Sequence, residues 1–339
     1  MVQGFARLRK HQIAKETTFG TAATATRVVP WRGAIEVNPN RTDPDVDVGL
    51  FTPTLTPLQG VLDVTGSWDG PVDYDNLAIV YSAGVKGGVS PTGATAKTWT
   101  FQASEAVSDN FDTYTDEWGD DTSDLATGDG IIGLGGVLDS FTLSFGEELG
   151  PFQLDGSVQY ASATLGDTRT TGLSVSASPI WMYGADTEVF LDSAAGSIGT
   201  TKLADAVRGA SVNVQNNLDQ KRYANGSNTR FKLAAYGRGS KVIEVQFTVE
   251  KTTATIAERA TIDDSTAPDR FLELRTTSPS IITGSTPYSN SIRIPARLVS
   301  VTDGEIGGNT TITLVYRGFY DANLLYALRV AVVNTLASL

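Results

Sequence analysis

The chain of 339 residues contains no cysteine and a single histidine, His11. The first absence excludes disulfides, thiolate metal sites and thiol nucleophiles, and argues against a secreted, disulfide-stapled fold. The second leaves any Ser-His-Asp triad dependent on His11, which sits between basic residues in an N-terminal segment read as an arm. No nucleophile-elbow pattern exists to partner it. Long apolar runs are also missing: nothing approaches the ~20 residues that span a bilayer, and no apolar run follows the basic start as in a signal peptide. The sequence therefore reads as a soluble protein made in a cytoplasm.

Positive charge is scarce in one region only. Residues 42–168 hold Lys86 and Lys97 against 21 acids, whereas residues 1–41 hold seven basic and two acidic groups. Residues 169–339 hold 17 basic and 15 acidic groups, and the whole carries −12. An acidic half repels phosphates, so free nucleic-acid binding there is disfavoured. Such sign asymmetry suits self-association through complementary faces or a surface that repels polyanions, and equally a solubilising acidic loop.

What is abundant is β signal. "VLDVTGSWDG" (61–70), "SFTLSFG" (140–146), "FQLDGSVQY" (152–160), "KVIEVQFTVE" (241–250), "RLVSVTD" (297–303) and "TTITLVYRG" (310–318) alternate with period two between Gly, Asn and Asp clusters. These predict half-buried antiparallel strands. Two short helices are expected. One lies in "DGPVDYDNLAIVYSAG", with Pro71 near its first turn and Gly84 as its stop; the other lies in "TTATIAERATIDD" (252–264).

The order of these pieces repeats. "RGAIEVNPN" at Arg32 and "RGASVNVQNN" at Arg208 share Arg-Gly-Ala 176 positions apart. Each is followed by a loop-rich stretch, a strand ("VLDV" at 61–64, "VIEV" at 242–245, an offset of 181), a helix, an aromatic-bearing strand ("TWTFQ", "RFLELR") and a hairpin. An ordered series predicts two tandem β-sandwich or barrel modules, each with one short helix. The expected organisation is a basic arm (1–29), a first module (30–165) with an acidic loop insertion (103–136), and a Gly/Ser/Thr-rich connector (166–205). A second module (206–322) and a C-terminal docking segment (323–339) complete it.

Chemical motifs are weak. "GDGIIG" (128–133) follows a polar loop and opens no helix, and "GGVSPTGATAKT" lacks the Gly-Lys-Ser/Thr of a phosphate loop; both read as turns. Asp109, Asp112, Asp116, Glu117, Asp120, Asp121, Asp124 and Asp129 offer hard oxygen ligands without the spacing of a calcium loop, which favours a solvated acidic loop. "KRYANGSNTRFKLAAYGRGSK" interleaves Lys221, Arg222, Arg230, Lys232, Arg238 and Lys241 with Tyr223, Phe231 and Tyr236. That mixture suits base stacking, but with an acidic half available it favours a protein interface. No catalytic residue, cofactor or metal site is expected.

The opening "ARLRKHQIAKETTFGTAATATRVVPWRGA", with Lys15-Glu16-Thr17 and Phe19-Gly20-Thr21-Ala22, resembles the start of tail tube (major tail) proteins of long, non-contractile-tailed bacteriophages. "GASVNVQNNLDQKRY…GRGSKVIEVQFTVEK" is similar to their second half. The resemblance implies a sandwich module that joins edge to edge into a ring of six, with rings stacked into a tube that conducts DNA. It also implies a long hairpin reaching the neighbouring ring, and tape-measure and terminator or tip proteins as partners. Two modules per chain would make the ring a trimer with pseudo-sixfold symmetry; a hexamer of one decorated module is the alternative. The two long hairpins are oppositely charged: Asp43, Asp45 and Asp47 in one, Lys221, Arg222, Arg230 and Lys232 in the other. They are expected to meet across an inter-subunit or inter-ring contact, with Arg7, Arg9 and Lys10 alongside. The competing readings are a carbohydrate-binding or adhesin-like β-sandwich using its five Trp, and a hydrolase using acids.

Overall fold

The computed structural model describes residues 9–42, 57–58, 60–103, 110–120, 128–203, 206–223, 233–263 and 268–339. The protein is mainly β. Its first half runs β1 (Arg9–Lys15), β2 (Arg27–Val29), β3 (Arg32–Asn38), β4 (Asp63–Pro71), α1 (Tyr74–Gly84), β5 (Lys97–Gln102), β6 (Tyr114–Asp120), β7 (Gly130–Phe145), β8 (Gln153–Tyr160) and β9 (Ser162–Asp167). The second half runs β10 (Thr187–Asp192), β11 (Val207–Gln215), β12 (Asp219–Lys221), β13 (Ala235–Gly237), β14 (Val242–Glu250), α2 (Thr253–Ala260), β15 (Arg270–Thr283), β16 (Thr286–Ile306), β17 (Asn309–Gly318) and β18 (Arg329–Asn334).

The antiparallel pairings follow one scheme twice. In the first half β1 pairs β6, β6 pairs β7 and β7 pairs β9; then β7 pairs β8, β8 pairs β4 and β4 pairs β3. In the second half β10 pairs β15, β15 pairs β16 and β16 pairs β18; then β16 pairs β17, β17 pairs β14 and β14 pairs β11. The long strands β7 and β16 thus each pass from one sheet into the other. Each carries a bulge at a Leu-x-Ser step, Leu138–Ser140 and Leu298–Ser300, where one residue is left without a partner on the hairpin's return strand.

The halves are joined by β7 pairing with β11, which makes an eight-stranded sheet in the order β3-β4-β8-β7-β11-β14-β17-β16. A second bond crosses between them, since β5 pairs β18. Under the sheets, α1 is buried from Leu77 to Gly84. Its start is fixed by Asp73, whose carboxylate accepts from the Asp75 and Asn76 amides at 3.0 and 2.9 Å. Pro71, expected in the first turn, instead ends β4. Tyr81 donates to Asn290 Oδ1 at 3.1 Å and Asn334 donates to the Tyr74 carbonyl at 2.9 Å, so the helix ties both halves into one core. Gly84 lies close to Phe141, where a Cβ would come within 2.8 Å of the ring. The second helix is shallower, burying only Thr255 and Glu258, and opens on a Thr252–Thr255 capping box.

Several expectations change. Residues 103–136 are no continuous loop, because β6 and the start of β7 lie there; β6 is buried on both faces, which suppresses the alternation by which strands are read. "GDGIIG", expected to be a turn, opens on one at Gly128 and then enters β7 at Gly130. The connector 166–205 contains β10, and the arm 1–29 contains β1 and β2. The C-terminal segment docks as β18. His11 is buried in β1, with Nε2 3.6 Å from Asp116 Oδ1. That carboxylate also accepts from Trp68 Nε1 at 2.7 Å and from the Tyr160 hydroxyl. Burial beside Asp116 drives the Tyr160 hydroxyl well above its ordinary range.

Candidate assembly surfaces

The chain leaves the eight-stranded sheet between β3 and β4 and again between β11 and β14, and the bases of these two connections, the arm bases, lie within the described residues. The two bases have the same construction. Asn40 and Asn217 adopt left-handed backbone, with φ of 45° and 48°. Each faces a glycine on the returning strand: a Cβ on Gly60 would lie 2.1 Å from the Asn40 carbonyl oxygen, and one on Gly239 would lie 2.1 Å from that of Asn217. Just beyond, Thr42 bridges Leu58 and Asp219 pairs Gly237. Superposing the two bases by their Asn and Gly aligns the adjoining cross-strand pairs, Asn38 with Asp63 and Gln215 with Val242.

That correspondence sets Ile35 against Val212 and Arg32 against Gly209. The two Arg-Gly-Ala tripeptides therefore stand one position out of step, with Ala34 exposed and Ala210 buried. Arg208 falls within an irregularity of β11. The "VLDV" and "VIEV" strings are two positions out of step but on the same face, since Val64 corresponds to Ile243. Sequence reading missed the Asn and Gly pairs, whose signal is an Asn closing each first strand and a Gly preceding each second one.

The residues expected at contacts are dispersed. Arg7, Asp43, Asp45, Asp47, Arg230 and Lys232 lie outside the described residues. Arg9 pairs with Asp120 at 3.3 Å and stacks over Trp118. Lys10 donates to the Leu173 carbonyl at 3.1 Å. Lys221 ends β12 and is exposed. Arg222 reaches Asp63 Oδ1 at 2.7 Å, inside the same chain, so the base of the second arm is pinned to the base of the first. Tyr236 adds two bonds, donating to the Gly135 and Gln159 carbonyls at 2.9 and 2.8 Å. Among the described residues, Arg9 and Lys10 stand on β1, and Lys221 and Arg222 stand at the second arm base.

The described acids of 103–136 are engaged singly. Asp112 pairs with Lys15 at 2.8 Å, Asp116 and Asp120 are bonded as above, and Glu117 accepts from the Thr170 amide and hydroxyl. Among the described residues no group of three His, Asp or Glu side chains is placed to hold a metal. Trp31, Trp68 and Trp99 are buried, Trp31 stacked on Trp68 with centroids 5.4 Å apart, so they are core residues and not sugar platforms.

The outer face of the eight-stranded sheet is polar. One row across it reads Ser67, Ser157, Ser140 and Gln215; another reads Ser144, Ser211, Gln246, Val315 and Ser300. A charged row reads Arg32, Asp69, Asp155, Thr142, Asn213, Glu244 and Arg317. Among the described residues two edges of this sheet are open: β3 pairs only with β4, and β16 from Ser300 to Glu305 pairs only with β17.

The described residues thus combine two open sheet edges with a broad polar face. The family model of the phage tail tube protein matches residues 9–326, and the chain belongs to that family. No individual curated protein matches it. Membership makes it a structural component of the virion tail and implies self-association into a tube. No described helix is long and apolar enough to cross a membrane.

Proposed function

We propose that the chain builds three-membered rings that stack into the tail tube, with each chain supplying two copies of one sandwich unit. The observation that carries this reading is the twofold use of one strand-pairing scheme, with the same arm base and the same Leu-x-Ser bulge in each half. Three such chains supply six units, the number a pseudo-sixfold annulus needs. The boundaries that fit best are residues 9–167 and 187–334, wider than the strings visible in sequence.

The polar face of the eight-stranded sheet is the reading's lumen wall. Serine, threonine and amide side chains there offer weak, neutral contacts. In the charged row Asp69, Asp155 and Glu244 outnumber Arg32 and Arg317, so the wall carries net negative charge and repels phosphates. Tape-measure and terminator or tip proteins would then meet the ends of the tube. The experiment is a count of chains per ring by electron microscopy of assembled protein. Three is expected, and six chains per ring would remove the two-copy reading.

A further inference from the structure

The junction between the halves inside one chain is a template for the junction between chains. There β11 lies antiparallel on β7, with Gln215 opposite Ser140, Val214 opposite Phe141, Asn213 opposite Thr142 and Val212 opposite Leu143. The counterpart of β11 in the first half is β3, whose outer edge is open. The counterpart of that stretch of β7 in the second half is β16 from Ser300 onward, whose outer edge is open too. Bare edges of this kind pair with other strands unless they are covered. We infer that β3 of one protomer adds to β16 of the next in the register of the internal junction, placing Asn38 opposite Ser300, Val37 opposite Val301, Glu36 opposite Thr302 and Ile35 opposite Asp303. The inference rests on the ring reading above, and specifies which strands close the ring and in what alignment.

Exposed apolar residues at both edges support it. Inside the chain, the bulge residue Asp139 accepts twice from the second arm base: its carbonyl from the Asn216 amide at 2.7 Å, and its carboxylate from the Leu218 amide at 2.7 Å. At the open edge the bulge residue is Val299, and the counterpart of Asn216 is Pro39. Neither bond has a counterpart at the open edge, one for want of the carboxylate at Val299 and the other for want of an N–H at Pro39. Val299 is 46% exposed, and the first arm base likewise presents Leu58 and Val61, 60% and 38% exposed. Apolar groups left bare on both counterpart surfaces are what a dry contact between copies would cover. Asp303, which faces Ile35 in this register, brings no unpaired charge, because Arg259 holds both its oxygens at 3.0 and 3.1 Å.

The absence of native cysteine makes the test direct. The internal counterparts of Glu36 and Thr302 are in contact, Asn213 Nδ2 donating to Thr142 Oγ1 at 2.7 Å. A chain carrying Glu36→Cys and Thr302→Cys, both exposed positions, should form disulfides between protomers on oxidation of assembled protein and run as a covalent trimer. A pair slipped by two residues, Ala34→Cys with Thr302→Cys, should not. Rings or tubes in normal yield without the in-register disulfide, or with the slipped one favoured, would overturn the junction and leave the ring reading standing. Wild-type protein that forms no rings under any assembly condition would overturn the ring reading and the junction with it.

Discussion

Adding one methyl group at each arm base tests whether the two bases are equivalent. Gly60→Ala and Gly239→Ala would each place a Cβ 2.1 Å from an asparagine carbonyl oxygen, and within 3.1 and 2.9 Å of that asparagine's Cβ. Backbone, not a flexible side-chain tip, is what stands in the way, so the strand pair must separate by about 1 Å to relieve the clash. Such overpacking costs about 1–3 kcal/mol. The cost should be the same at both positions, because the obstructing atoms and the distance are the same. Gly146→Ala is the control: it has ordinary backbone and no atom within 4 Å of an added Cβ. Chemical denaturation gives the stability change, and sedimentation of assembled protein gives the effect on polymerisation. Both variants should lose stability relative to Gly146→Ala by amounts within about 0.5 kcal/mol of each other. A large loss at one position with none at the other would refute the equivalence of the arm bases.

Asn40→Ala and Asn217→Ala should each cost about 1–2 kcal/mol, since alanine lacks the local hydrogen bonding that lets asparagine hold left-handed backbone; Asn→Gly at either site should restore most of it. The Arg222–Asp63 pair, which is partly solvated, should give a coupling of only about 0.2–1 kcal/mol in a double-mutant cycle. Glu258 is buried, holds Arg270 through both oxygens at 2.8–3.0 Å and accepts from Tyr316 at 3.1 Å. Glu258→Ala should therefore cost about 3–5 kcal/mol by stranding a buried cation, whereas Tyr316→Phe should cost about 1 kcal/mol. Burial pushes the Asp192 carboxyl up, but hydrogen bonds from Thr201, Thr200 and Gly199 outweigh it and leave the group below its ordinary value. A lowered folded value means that its stabilisation is complete above the unfolded carboxylate range, near pH 4, and disappears as pH falls through the folded value. Urea titrations should accordingly show Asp192→Asn costing more at pH 7 than at pH 3.

The β architecture was legible because the eight-stranded sheet has one wet face. Along β8 and β14 alternate residues are buried, and period two is visible in the string. Where that asymmetry fails, so does the reading. Strand β6 carries Tyr114, Asp116 and Trp118 on one face and Thr115, Glu117 and Gly119 on the other, nearly all buried. Its acids are hidden by partners that come from β1, β4, β8 and the segment around Thr170, none of them near in sequence. A buried carboxylate bonded by Trp68 and Tyr160 is indistinguishable in a sequence from a solvated one. The assembly residues fared similarly. Charge drew attention to Lys221 and Arg222, yet Arg222 is used within the chain, and the features the halves share are an Asn, a Gly and a Leu-x-Ser step that carry no charge at all.

The contrast between the two junctions bears on how a chain with two like halves avoids joining them wrongly. Closure within the chain buries Phe141, Leu143 and Phe145 of β7 against β11, an apolar contact formed at the effective concentration of a tether. The corresponding positions of β16 are Val301, Asp303 and Glu305, of which the last two are charged and exposed. Charges on an edge strand weaken unplanned pairing. If β11 of a second chain competed for β16, its Val212 and Val214 would exchange the apolar partners of β7 for Asp303 and Val301. Ile35 and Val37 of β3 meet the same two residues without giving up such partners. Intrachain closure is thereby favoured over exchange between chains, and the β16 edge remains for β3. A chain in which Asp303 and Glu305 are both replaced by leucine should give up that discrimination and form irregular aggregates in place of rings, visible as loss of the ring peak in sedimentation; uniform rings from that variant would show that edge charge plays no part in the choice.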